Sequence, residues 1–182
     1  MSMNFSRRDF LKCTGITVLA VGMGSLLTGC GGGGSGSGTA GINTPLTIDG
    51  ITVKVTEFEQ EAITATVAGI AGTDTNHKFL FPEVTVRNES GKIFRVGGAS
   101  NFALKVDGQE QSYVGVTAAS LVASTYGHKL LDQNTGYSIP DQNECSGALA
   151  YAVPTGWQRA ELRFFPDLSD TSKFITFILT NR

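Results

Sequence analysis

The stretch LTIDGITVKV, residues 46–55, decides the fold. Leu46 and Ile48 alternate with polar residues before Asp49-Gly50, and Ile51, Val53 and Val55 alternate after it. A period of two sends one face of a strand into a core and leaves the other wet. Asp-Gly between two such runs favours a tight turn, so the segment predicts a β-hairpin. The pattern returns at FALKVDGQEQSYV, residues 102–114, where Phe102, Leu104 and Val106 lead into Asp107-Gly108.

The neighbouring segments extend the same texture. AITATVA (62–68), KFLFPEVTVRN (78–88), KIFRV (92–96), GALAYAVP (147–154), RAELRFFP (159–166) and KFITFILTN (173–181) all read as extended. Residues 69–77 read as a loop, 88–91 as a turn, and TGYSIPDQNECSG (135–147) as a turn-rich approach. Pro82 inside its run suggests an edge position or a bulge. Residues 117–131 fit either a short helix or a loop with a strand. About seven to nine strands at short spacing, with no long amphipathic helix, predict an all-β antiparallel sandwich, although periodicity alone does not separate it from a barrel.

Alternation places Ile51, Val53, Val55, Phe79, Phe81, Val84, Val86, Phe102, Leu104, Leu149, Tyr151, Val153, Leu162, Phe164, Phe174 and Phe177 in the core. Trp157 is expected to be partly buried.

Upstream of residue 46 the composition changes twice. GGGGSGSGTAGINTP, residues 31–45, has little reason to fold and reads as a flexible leash. A phosphate-binding loop is excluded there, since no Lys-Ser/Thr follows and no strand-then-helix context surrounds it. Before the leash, residues 13–29 form an uncharged run rich in small residues, too short and glycine-rich for a spanning helix. A basic region, a modest apolar region and small residues before a processing point have the layout of an export signal. With Leu27-Thr28-Gly29-Cys30 resembling a bacterial lipobox, the chain divides into a signal (1–29), Cys30 with a linker (30–45) and a β domain (46–182).

Charge and cysteine usage narrow the function. The formal net charge is −2, with only Arg7, Arg8 and Lys12 against Asp9 in the first 29 residues. The rest is mildly acidic, and no basic stripe points to nucleic acid. Of Cys13, Cys30 and Cys145, only Cys145 falls in the β domain, so no internal disulfide framework forms there.

Cys145 with His77 or His128 would be the material for a nucleophile, but a lone Cys in a β domain is more often a small apolar residue. His77 and His128 lack zinc-site spacing, so no metal is assigned. Asp residues near turns usually bond local backbone, and DLSDTS (167–172) is the first place to look for calcium. No cofactor motif is present, and the chain is expected to be non-enzymatic.

Three resemblances add to this reading. Ser6-Arg7-Arg8-Asp9-Phe10-Leu11-Lys12 resembles the bacterial twin-arginine export motif at every position, with Arg7, Arg8, Phe10 and Leu11 as its recognised residues. Leu27-Thr28-Gly29-Cys30 resembles a bacterial lipobox. That likeness implies a diacylglyceryl thioether on Cys30, cleavage before it, and anchoring to the extracytoplasmic face of the cell membrane.

FLFPEVTVRNESGK, then Phe102, Leu104 and Gly108, then SGALAYAVP and the pair AELRFFP and FITFIL, resemble DUF4352-type domains in that order. The resemblance covers roughly residues 46–182. It implies the immunoglobulin-like β-sandwich of the immunoprotective extracellular antigen fold and little chemistry. Residues 117–131 depart from a compact member. Together these features point to a surface lipoprotein acting as a binding or interaction module. Its expected partners are the membrane through Cys30, the twin-arginine machinery, and an unidentified protein or envelope ligand. An accessory subunit of an exported redox or transport complex is the alternative.

Overall fold

The computed structural model describes residues 38–64, 67, 69, 74–135 and 138–181. The signal and export residues Arg7, Arg8, Phe10 and Leu11, and the lipobox Cys30, lie outside the described residues. The expected antiparallel β-sandwich is present.

The first sheet has the order β1 (Thr39–Ala40), β12 (Ile175–Thr180), β11 (Arg159–Phe164), β6 (Phe102–Val106) and β7 (Gln109–Gln111). The second has the order β10 (Tyr151–Pro154), β4 (His77–Asn88), β3 (Ile51–Ala62) and β2 (Leu46–Ile48), with β9 (Asn143–Ala148) also pairing β4. A two-stranded ribbon of β5 (Phe94–Arg95) and β8 (Ser138–Ile139) sits apart. All pairs are antiparallel except β1 with β12. Among the described residues there are twelve strands, more than expected; the surplus consists of two- and three-residue pieces that carry no readable alternation.

The hairpin that opened the reading forms as expected. Ile48 faces Ile51, leaving Asp49 and Gly50 as the turn at φ 50° and 76°. Both signs match a type I′ turn, whose twist suits the flanking strands. Asp107 and Gly108 repeat it at φ 47° and 85°. In β3 the residues alternate from buried Ile51 to buried Val55, then a bulge shifts the register between Val55 and Glu57.

Pro82 is not at an edge. It lies in the central strand β4, opposite Phe58 and close to the bulge. Its other side falls between β10, which pairs residues 77–80, and β9, which pairs residues 83–88. Its carbonyl accepts from the Leu149 N–H at 2.9 Å. In an antiparallel strand a residue's N–H and C=O point the same way, so the missing donor falls in that break. The break also corrects the single strand expected over residues 147–154. Gly147 and Ala148 end β9, Leu149 and Ala150 step across Pro82, and Tyr151 begins β10. β9 itself occupies much of the segment expected to be turn-rich.

The expected strand at 62–68 is not found among the described residues of that segment. β3 ends at Ala62, and Val67 and Gly69 are helical. The leash also ends sooner than composition suggests. The Gly38 carbonyl accepts from the Thr176 N–H at 2.8 Å, and Asn43 N–H donates to Val55 O at 2.7 Å. Residues 38–45 therefore run against the sandwich.

Of the sixteen expected core residues, only Phe174 is not buried. Its half-buried ring meets Phe165 and lies 5.0 Å from the Arg163 guanidinium. Trp157 is fully buried, correcting the expected partial exposure. It can be so because its indole N–H donates to Gln60 Oε1 at 3.0 Å. Gln60 donates to Asn181 Oδ1, and Asn181 donates back to the Trp157 carbonyl.

The ambiguous segment is helical. α2 (Val116–Thr125) and α3 (Leu131–Thr135) follow the short α1 (Gly98–Asn101). Ala119, Val122 and Ala123 cover Phe79 and Phe81 on the outer face of the second sheet. This third layer explains why Phe79, Leu80, Phe81 and Pro82 are all buried although successive strand residues face opposite ways.

Candidate functional site

Two adjoining clefts lie at one end of the sandwich, with volumes of about 530 and 390 Å³. They share Ile93, Arg95, Asn101 and Leu168. Three regions converge here: β5 with α1, the loop from β11 to β12, and the turns at 49–50 and 89–91.

Local chemistry fixes the shape of this end. Asn88 is completely buried. Its amide donates to the Lys92 carbonyl at 2.7 Å and to the Ile139 carbonyl at 2.8 Å. Its Oδ1 accepts from the Ser90 N–H at 3.0 Å and the Ser90 hydroxyl at 2.7 Å. One side chain thus closes the 88–91 turn and pins both strands of the β5–β8 ribbon. Asn101 does similar work: Nδ2 donates to Phe165 O, and Oδ1 accepts from Gly97 N–H. Phe94 packs edge-on against Phe164, holding the ribbon to the core.

On this frame Ile93 and Leu168 stand exposed, at 67% and 55% of their surface. Arg95 is exposed beside them, with no ion pair among the described residues. The result is an open cleft with apolar rim residues and one free guanidinium.

The loop 167–172 borders this end. Asp167 accepts from the Ser169 N–H and hydroxyl, and Asp170 from the Ser172 N–H and hydroxyl. These bonds, side-chain ones first, hold both carboxyls below the ordinary aspartate range. Each carboxylate is a local turn bond, and among the described residues no group of three or more His, Cys, Asp or Glu is placed to hold a metal ion.

Among the described residues the remaining titratable groups do not assemble a cysteine nucleophile. Cys145 on β9 faces Val86 in register, and its thiol meets the Ser146 carbonyl at 3.9 Å. Burial pushes its pKa up, the opposite of what activates a thiol. His77 pairs with Asp74 at 2.7 Å.

His128 stacks on Phe81 with centroids 4.1 Å apart. Its two ring nitrogens lie 3.5 Å from Glu59 and 3.6 Å from Glu83. Burial pushes the Glu83 carboxyl up, offset by His128. Neither histidine is brought to Cys145.

The family model described as a domain of unknown function, DUF4352, matches residues 40–173. The chain belongs to the DUF4352 family. The match begins at β1, in agreement with the packing of residues 38–45. A search of curated proteins found no match.

Among solved structures, the "putative lipoprotein (ycdA)" of Bacillus subtilis is 21% identical with a TM-score of 0.59. That match covers 75% of this chain and 38% of that one, so this DUF4352 chain spans well under half of that protein. A functionally unknown protein of Listeria monocytogenes is 11% identical with a TM-score of 0.52, over 76% of this chain and 81% of that one. At these identities the likenesses show the sandwich alone.

The cleft residues were not legible as a site. A signal existed in KIFRV: two adjacent apolar residues cannot both face inward on a strand. Ile93 therefore shares the outer face with Arg95. Leu168, a lone apolar residue among polar loop neighbours, was the other sign.

Proposed function

We propose that this DUF4352 protein is a lipid-anchored, extracytoplasmic binding module without enzymatic activity of its own. The observation that carries the reading is Leu27-Thr28-Gly29-Cys30 followed by glycine-rich chain and then a β-sandwich with an open, arginine-bearing cleft. Cys30 is the modified residue, and Arg7-Arg8 within SRRDFLK directs export by the twin-arginine route. A twin-acyl or diacylglyceryl anchor holds a domain stably where a single chain holds it only marginally. The described titratable groups support binding over catalysis, because the one thiol has a raised pKa and no base beside it. The B. subtilis protein of similar fold is described as a lipoprotein, in keeping with this reading.

The experiment is Cys30→Ala in the full chain. Loss of metabolic lipid labelling and release from the membrane fraction are expected. Retained labelling would refute the assignment of Cys30. Replacing both Arg7 and Arg8 by Lys should leave unprocessed precursor in the cytoplasm, whereas normal processing would make the general secretory route sufficient.

A further inference from the structure

We propose that the cleft end of the domain rests on the lipid surface, with Ile93 and Leu168 as its apolar contacts. The inference rests on Cys30 being the anchor, and three observations carry it.

The first is where the chain enters. Gly38 O bonds Thr176 N–H at the start of β12, and β1 runs parallel to β12. The start of β12, the end of β11 and the start of β6 all lie at this end, since Phe102 pairs with Phe164 and Phe164 with Ile175. The loop joining β11 to β12 carries Leu168 into the cleft. The root of the anchor segment and the cleft therefore share one end of the sandwich.

The second is length. Seven residues separate Cys30 from Gly38, giving eight Cα–Cα steps. Whatever their conformation, they reach at most about 28 Å at ~3.3–3.6 Å each. β3 and β4 are twelve residues long, about 40 Å at ~3.3 Å per residue. A lipid on Cys30 thus keeps the root end next to the bilayer, and the opposite end is the one held away.

The third is the distribution of exposed apolar side chains. Among the described residues three large hydrophobics are exposed: Ile93, Leu121 and Leu168. Two of the three rim the cleft, where an interfacial contact would cover them; single exposed apolar residues elsewhere need no explanation. Lys92 and Arg95 flank them, within reach of lipid phosphates. Asp49 and Asp167 line the same cleft, so net charge does not drive the contact. Apolar burial drives it, and salt should change it little.

The test uses the full chain, purified in its lipidated form and reconstituted in phosphatidylethanolamine–phosphatidylglycerol vesicles with brominated acyl chains. Ile93→Trp and Leu168→Trp are compared with Leu121→Trp on α2, after subtracting the wild-type signal of buried Trp157. Quenching at positions 93 and 168 should exceed that at 121 at least twofold and persist in high salt. Equal quenching at the three positions overturns the docking while leaving the anchor intact. Quenching abolished by salt overturns the apolar contact. A chain absent from the membrane fraction overturns both the anchor and the docking.

In the protein without added tryptophan, Lys92 should react with a water-soluble amine reagent at least threefold more slowly on vesicles than in detergent. The double variant Ile93→Ser with Leu168→Ser should remove that protection, and its persistence would also overturn the proposal.

Discussion

Replacing Asn88 tests whether one buried amide builds the cleft end. Asn88→Ala removes two donated bonds, to Lys92 O and Ile139 O, and two accepted from Ser90. The Ser90 groups and the Lys92 carbonyl are near the surface and can recover water. The bond to Ile139 O is fully buried, so that carbonyl loses its partner outright. A net hydrogen bond is worth ~1 kcal/mol, and an orphaned buried acceptor costs ~1–3 kcal/mol. The sum is a loss of about 3 kcal/mol, a sizeable share of the ~5–15 kcal/mol that holds a domain together. At this size the melting temperature should fall by roughly 6–12 °C.

Guanidinium denaturation should show a lower midpoint with an unchanged slope. Asn88→Asp is the sharper variant. It keeps the acceptor but turns a carboxylate toward two carbonyl oxygens, so it should be worse than Ala at pH 7. Burial against those oxygens raises that carboxyl's pKa, so stability should return on acidification as the carboxyl gains a proton and one donor. Asn88→Ala within about 0.5 kcal/mol of wild type would refute the reasoning, that being the ordinary range for an inconsequential surface change. So would Asn88→Asp matching wild type at neutral pH.

Two further outcomes follow from the helical layer. A Cβ at Gly147 would sit 2.5 Å from the Leu131 backbone, so Gly147→Ala must push α3 off β9. Leu130 and Leu131 are buried there, and exposing part of both should cost about 2–4 kcal/mol by denaturation, while Gly156→Ala, with open space around it, should cost nothing measurable. Glu83 has its carboxyl raised by burial, so the unfolded chain ionises first and native stability falls as pH rises from the ordinary glutamate value of 4.5 through the raised one. Glu83→Gln removes that loss, so its stability relative to wild type should increase from pH 4 to 7 in melting scans; a constant difference would contradict it.

The legible part of the fold was the part governed by local periodicity. Residues 46–55 and 102–111 carry alternation and an Asp-Gly turn, and both hairpins form in the expected register. What misled was context that one strand cannot report. Pro82 reads as an edge position or a bulge because a central strand needs its N–H; it lies centrally, close to the β3 bulge, where two partner strands leave a gap opposite it. Leu149 and Ala150 read as strand because they are apolar, although they step across that gap.

Residues 62–68 have β-rich composition, yet among the described ones only Ala62, the end of β3, is in a strand. Residues 116–125 carry a weak stripe of small residues, and only the exposed outer face of Phe79 and Phe81 makes a helix worth docking there. The site was less legible still. Asn88 looks like an ordinary turn asparagine, and its burial depends on Ile139, 51 positions away.

The placement of polar side chains distinguishes the two ends of the domain. At the end away from the chain entry, Gln60, Trp157 and Asn181 bond one another in a closed ring, and Asp107 accepts from the Gln158 and Arg159 N–H groups. Gln60, Trp157 and Asn181 thus satisfy one another. At the entry end, Asn88 and Asn101 satisfy backbone groups and so hold Ile93 and Arg95 outward with their own chemistry unspent. Two buried asparagines thus fix exposed apolar and cationic side chains, and the end on which they do so is the one where the chain enters at Gly38.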